Sequence, residues 1–188
     1  MSVEYLNFED LSEIDKKIFL VFEDEVNRFC GRFLHGLGFV REIRKISKVT
    51  GTLIFSYCFS NDDFKRKIKI VARRQIEFDS YMGIPEDTLD IFPVIEKITD
   101  VFLWGGEIFF VDKYLEDIYK LKLTYRETYP VSEIKNVILK VSSLKEEELR
   151  QKMREIISMY EYYLKDDEKL YKCLTGEIWL DEYCDRYK

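Results

Sequence analysis

From Phe64 to Asp79 the chain alternates between charged and apolar side chains. Lys65, Lys67, Lys69, Arg73, Gln75, Glu77 and Asp79 fall on one side. Ile68, Ile70, Ala72, Ile76 and Phe78 fall on the other, interrupted by Arg66 and Arg74. A period of two with one apolar side is the pattern of a half-buried antiparallel strand. Such a strand needs partners at its edges and a layer over its apolar face. The segments just upstream predict both. Residues 52–59 are aromatic and β-branched, which predicts a central strand. Residues 39–49 read as another strand, with Gly51 breaking the run between them. Ser60, Asn61, Asp62 and Asp63 form a turn cluster.

The covering layer is expected from residues 12–35. Ile14, Ile18, Phe22, Val26, Phe29 and Phe33 recur at three- and four-residue spacing. Ser12 and Asp15 form a capping-box-like pair at the start, and Gly36-Leu37-Gly38 supplies a left-handed stop. Downstream, residues 83–93 read as loop or short turns. Residues 93–99 read as a short helix with Pro93 in its first turn. Residues 101–111 read as a hairpin about Gly105-Gly106. Residues 112–120 fit either a helix or the start of a strand. After Pro130 the chain reads as helical, first from Ser132 with Ile134, Val137, Ile138 and Val141 inward. A second helix follows the Ser143/Glu146 capping box to about Leu164. A shorter helix ends near Gly176, and residues 177–187 read as a last short one. The expected architecture is α+β: a long N-terminal helix packed on an antiparallel β-meander, with C-terminal helices. No linker-like stretch divides the chain, so one domain over residues 1–188 is expected.

The net charge of −6 on 188 residues hides a segregation. Residues 1–27 carry 8 acids and 2 bases, residues 28–75 carry 3 acids and 12 bases, and residues 76–119 carry 11 acids and 2 bases. Residues 120–188 are balanced, with 14 of each. The blocks either neutralise one another inside the fold or present opposite faces to partners, and the internal arrangement is the favoured expectation. With 46% apolar and 15% aromatic residues, a disordered chain is excluded. No uncharged run approaches membrane-spanning length, so no membrane partner is expected. The acidic N-terminal segment has no basic-then-apolar leader, so a cytoplasmic location with reduced Cys30, Cys58, Cys173 and Cys184 is expected.

Chemistry-bearing motifs are weak. His35 is the sole histidine and sits at a helix end, where a capping role is expected. Four cysteines without CxxC spacing predict no metal site, and the glycines make no phosphate or dinucleotide loop, so no cofactor is expected. Ser132 and Lys135 match S-x-x-K, but a cap followed by a solvated lysine accounts for them. Glu133 and Lys135 match the E-x-K element of metal-dependent nucleases, with Asp112 or Asp117 as the upstream acid. Gln75, Glu77 and Asp79 could offer oxygens to Mg²⁺, but a solvated strand face accounts for them equally. No catalytic residue is assigned.

The reading with most support is a non-catalytic protein-binding domain, of inhibitor or immunity type, that neutralises a basic partner. Glu77, Asp79, Glu86, Asp87 and Asp90 would steer it. The helix–Gly-Leu-Gly-Phe–meander layout of residues 12–79 resembles small bacterial immunity-type proteins, without a diagnostic motif. The alternative is a nucleic-acid-binding module using the basic strands of residues 40–74, through Arg41, Arg44, Lys65, Lys67, Lys69 and Arg73. A metal-dependent nuclease is the third.

Overall fold

The computed structural model describes residues 3–42, 44–78, 84–98, 107–124 and 129–185. It has the expected α+β arrangement of an N-terminal helix, an antiparallel sheet and C-terminal helices. The chain opens with β1 (Glu4–Tyr5) and a 3-10 turn before α1 (Glu13–Phe29). Ser12 caps α1. Its oxygen accepts the Asp15 N–H at 3.2 Å while its hydroxyl donates to the Asp15 carboxylate. Ile18, Phe19, Phe22, Val26 and Phe29 are buried, whereas Ile14 of the predicted stripe is 45% exposed. The regular helix stops at Phe29. A π turn (Cys30–Leu34) and a 3-10 turn (His35–Leu37) complete the segment, and His35 is exposed there. Gly38 then closes it at φ 80°, its N–H donating to the His35 carbonyl.

The meander follows as β2 (Val40–Arg41), β3 (Lys45–Val49), β4 (Thr52–Asn61) and β5 (Arg66–Gln75). Thr50 and Gly51 join β3 to β4 with positive φ at both, the two-residue turn that suits a right-twisted hairpin. In the next turn the Asn61 side chain accepts the Phe64 N–H at 3.0 Å, and Lys65 is left-handed. Then come β6 (Thr88–Lys97), β7 (Ile108–Phe110), α2 (Val111–Tyr119), β8 (Val137–Leu139), α3 (Glu146–Asp166), α4 (Glu168–Leu174) and β9 (Cys184–Asp185). Among the described residues the strands form one sheet in the order β1-β3-β4-β5-β6-β7-β9. β2 also pairs with β4, and β8 with β6.

Register separates two faces. Phe55, Tyr57 and Phe59 of β4 lie opposite Ala72, Ile70 and Ile68 of β5, and these opposite Ile91, Pro93 and Ile95 of β6. Helix α1 lays Phe19 and Phe22 on this face, with ring centroids 5.4 Å from Phe55 and 5.7 Å from Tyr57. Each such aromatic contributes roughly 1.5–3 kcal/mol by leaving water. Helix α3 packs beside α1 and against β6 through Leu149, Met153, Ile156 and Tyr160. The other face carries Ile54, Ser56 and Cys58, then Lys67, Lys69, Val71 and Arg73, then Asp90, Phe92, Val94 and Glu96.

Several sequence expectations fail for tertiary reasons. Residues 93–98 are not a helix, because Pro93 lies inside β6. The strand tolerates proline because its second edge is split: β8 pairs with Thr88–Asp90 and β7 with Val94–Glu96. The Ile91 N–H reaches the Asn136 carbonyl and the Lys97 N–H reaches the Glu107 carbonyl. By the two-residue period, the Pro93 nitrogen points between them, into the gap, where no ladder bond is required. The segment after Pro130 is a 3-10 turn (Val131–Glu133) and β8 rather than a helix, since Val137–Leu139 completes the β6 edge. Helix α3 starts after Lys145, whose N–H donates to the Glu148 carboxylate at 2.9 Å. The Ser143 hydroxyl instead donates to the Lys140 carbonyl. Residues 181–185 are a 3-10 turn and β9, not a last helix. Residues 112–120, open between helix and strand, are helical as α2. The Gly105-Gly106 turn lies outside the described residues.

Candidate functional site

The charged blocks meet within the sheet. Arg41 and Arg44 flank one carboxylate, Glu23 of α1, at 3.1 and 3.0 Å. Burial pushes the Glu23 carboxyl up, but Tyr57, Arg41 and Arg44 more than offset this and hold it below its usual value. Lys67 pairs with Glu42 at 3.0 Å, Lys69 with Glu96, and Arg73 with Asp90 through two guanidinium nitrogens. The last two pairs follow from the β5–β6 register, which sets Arg73 opposite Asp90 and places Glu96 near Lys69 on the same face. Arg41 and Arg44 thus meet a carboxylate from residues 1–27, Lys69 and Arg73 meet carboxylates from residues 76–119, and Lys67 meets Glu42 within its own block. Arg41, Lys45, Lys67 and Lys69 do share one shallow depression on the outer face, with Glu42 and Glu96 among them. Arg44 sits over the Phe19 ring, and Lys65 occupies the β4–β5 turn.

The two basic interruptions of the β5 alternation are its buried cations. Arg66 is 4% exposed. It donates to the carbonyls of Cys173, Lys65 and Ile178 at 2.9, 3.0 and 3.1 Å and lies over the Trp179 ring. Arg74 is 6% exposed and bridges Asp87 at 2.6 Å and Asp15 at 3.7 Å. These two side chains tie β5 to the C-terminal segment and to the start of α1.

The predicted acidic residues divide. Asp87 is structural. Besides Arg74 it accepts the Ser142 N–H at 3.1 Å and the Ser142 hydroxyl at 2.7 Å. Asp90 is held by Arg73. Asp79 lies outside the described residues. Glu77 and Glu86 are exposed, and so are two apolar side chains beside Glu77 in the chain, Ile76 (38% exposed) and Phe78 (61%). The backbone is anchored there, because the Ile76 and Glu77 N–H groups donate to the Gly51 carbonyl and the Gln75 amide donates to the Glu77 carbonyl. An acidic and aromatic end of the sheet results.

Next to that end, a cavity of about 260 Å³ opens on the outer face. Its wall includes Ile54, Arg73, Asp90, Asp112 and Asn136. The split β6 edge positions the last two. Asn136 precedes the residue opposite Asp90, and Asp112 lies two residues beyond the one opposite Val94. Asp112 is 8% exposed and accepts the Lys113 N–H at 3.0 Å. Burial pushes its carboxyl up to about 6, with the Lys113 N–H and Arg73 opposing and Glu116 adding. Asn136 is 1% exposed. Its amide nitrogen donates to the Tyr160 hydroxyl at 3.3 Å, and its side-chain oxygen has no partner. Burial, then Asp112, hold the Tyr160 hydroxyl well above its usual value, with Asp90 and Glu116 adding. Sequence reasoning named Asp112 only as a possible nuclease acid and did not name Asn136. The signal for this pair is the proline inside β6, which requires a gap in the strand's edge.

Glu133 is exposed and bonded to Lys122, and it does not line the cavity that Asp112 lines. Among the described residues no group of three or more His, Cys, Asp or Glu side chains could hold a metal ion. Burial pushes the Cys58 and Cys173 thiols up to about 12, which leaves them protonated and unreactive near neutral pH. Among the described residues no helix is long and apolar enough to cross a membrane. No known protein family, no curated protein and no solved structure matches this chain.

Proposed function

We propose that the chain is a non-catalytic protein-binding domain of inhibitor or immunity type, acting in the cytoplasm, and that its acidic and aromatic sheet end docks a basic protein. One observation carries the reading: Ile76 and Phe78 stand exposed on either side of Glu77 in the chain, on a backbone anchored at Ile76 and Glu77, with Glu86 exposed just before β6. An exposed aromatic side chain is a natural anchor for a partner, since aromatic residues are enriched in interface cores. A partner rich in Lys and Arg would be steered by these acids, whereas Arg41, Arg44, Lys67, Lys69 and Arg73 already meet carboxylates of the chain itself. Asp87 contributes by holding Arg74 and so shaping the end, rather than by meeting the partner directly.

The nucleic-acid reading is the poorer one. It needs cations able to replace the counterions of phosphates, yet Arg41, Arg44, Lys67, Lys69 and Arg73 each already meet a carboxylate. The test compares the wild-type chain with Phe78→Asp and with the double change Glu77→Lys, Glu86→Lys in affinity isolation from the native cell. The expected partner is a basic protein retained by the wild type and lost by both variants. Retention by both variants, or recovery of nucleic acid instead, overturns the reading.

A further inference from the structure

We propose that the cavity at the split edge of β6 is a receptor for a single guanidinium or primary ammonium group, held by Asp112, Asp90 and the side-chain oxygen of Asn136. The argument starts from acceptors without donors. Asn136 is almost wholly buried, and its Oδ1 has no hydrogen-bond partner. A buried orphan acceptor costs free energy and calls for a donor from outside the chain. Asp112 lines the same cavity. It accepts the backbone N–H of Lys113, and the described residues place no ion pair on it. The cation that faces it, Arg73, is engaged through two nitrogens by Asp90. The wall therefore carries two carboxylates and one guanidinium, with an unfilled carbonyl beside them.

A cationic group with several N–H donors meets every one of these demands. A planar guanidinium has five donors and can reach a carboxylate and a carbonyl at once. The cavity is of the right scale, since about 260 Å³ exceeds such a head group and leaves room for a few waters. Its apolar wall, Ile54 and Val137 among others, can take the methylene stem. The same chemistry has two sources: an Arg or Lys side chain of a protein, or a free small amine or guanidine. The cavity stands on its own geometry. The basic partner proposed above supplies one of these two sources, and Gln75 and Thr88 on the cavity wall place it next to Ile76.

The test is titration of the ¹⁵N-labelled full chain with n-butylguanidinium, with its neutral isostere n-butylurea, and with the capped tripeptide Gly-Arg-Gly. n-Butylguanidinium should produce saturable shifts at the amides around Asp112 and Asn136 with a Kd of about 1–10 mM, the range for a single small head group. n-Butylurea should produce none. If the tripeptide binds at least as well as n-butylguanidinium, the cavity accepts a protein-borne cation. If n-butylguanidinium alone binds, the natural ligand is a free small cation. Both results support the receptor. Asp112→Asn should weaken binding at least tenfold. Ile54→Trp, on the half-exposed outer face, should block it without touching the core. Phe78→Asp should leave it unchanged, so loss of the docking end and loss of the cavity are told apart. Equal responses to n-butylguanidinium and n-butylurea, no saturable shift, or binding unaffected by both Asp112→Asn and Ile54→Trp would overturn the proposal.

Discussion

Replacing Arg66 tests how this sheet is fastened to the C-terminal segment. The side chain makes three hydrogen bonds to carbonyls and stacks on Trp179 at 4.8 Å. Two of those carbonyls have other donors, since the Ile98 N–H reaches Lys65 and the Gly176 N–H reaches Cys173. Arg66→Leu therefore strands chiefly the Ile178 carbonyl, at about 1–3 kcal/mol. It also removes a cation–π contact of about 0.5–2 kcal/mol. Against this, it relieves the burial of a guanidinium whose charge the surroundings disfavour, the burial that lowers the Arg66 pKa. The net expectation is a loss of about 1–3 kcal/mol, or a Tm lower by roughly 3–10 °C for a chain of this size. Arg66→Lys should be worse than Arg66→Leu. A compact ammonium is harder to desolvate, and one amine cannot reproduce the fork that serves three carbonyls. Urea denaturation of the three proteins at one pH measures the order. Wild type above Leu above Lys fits the reasoning. Lys equal to wild type, or Leu at or above it, refutes it.

Two further outcomes follow from named positions. Asp112 has a folded-state pKa raised from 3.8 to about 6 by burial, so the folded chain holds that proton more tightly than the unfolded one and loses stability as pH rises from about 4 to about 6. Asp112→Asn should then stabilise the chain at pH 8 by about 1–3 kcal/mol and change little at pH 4, as read by urea unfolding at the two pH values. A variant less stable than wild type at pH 8 would contradict it. Gly176 has φ 85°, and an added Cβ would lie 2.4 Å from the Phe64 carbonyl oxygen. Gly176→Ala should cost about 2–4 kcal/mol by thermal or urea unfolding, because both the backbone and the turn it touches must move.

What could be read from the sequence was what local periodicity determines. The α1 stripe, its Ser12/Asp15 cap, the Gly38 stop and the β4–β5 pair all rest on residues within a few positions of one another. β6 was missed because Pro93 obeys a rule about its own N–H, while the split edge that excuses it is built by residues 15 or more positions away. The segregated charge was legible, and internal neutralisation was its favoured consequence, but the individual pairs were not, since matching Arg73 with Asp90 needs the strand register. Arg66 and Arg74 showed only as breaks in an apolar face, although such breaks mark the cations a sheet must bury. The cavity depends on Asp112 and Asn136 meeting at the same gap, and no local pattern joins them.

The most direct test of the account is amide shift mapping of the full chain with two polymers of opposite charge, an arginine-rich peptide and a single-stranded oligonucleotide of equal length. The sheet charges are held to be neutralised internally, with the acidic end left to meet a partner. The account predicts that the peptide perturbs Ile76, Glu77, Phe78 and Glu86, with salt-dependent affinity, and that the oligonucleotide perturbs nothing. Shifts at Arg41, Lys45, Lys67 and Lys69 with the oligonucleotide, and none at the acidic end with the peptide, would contradict it.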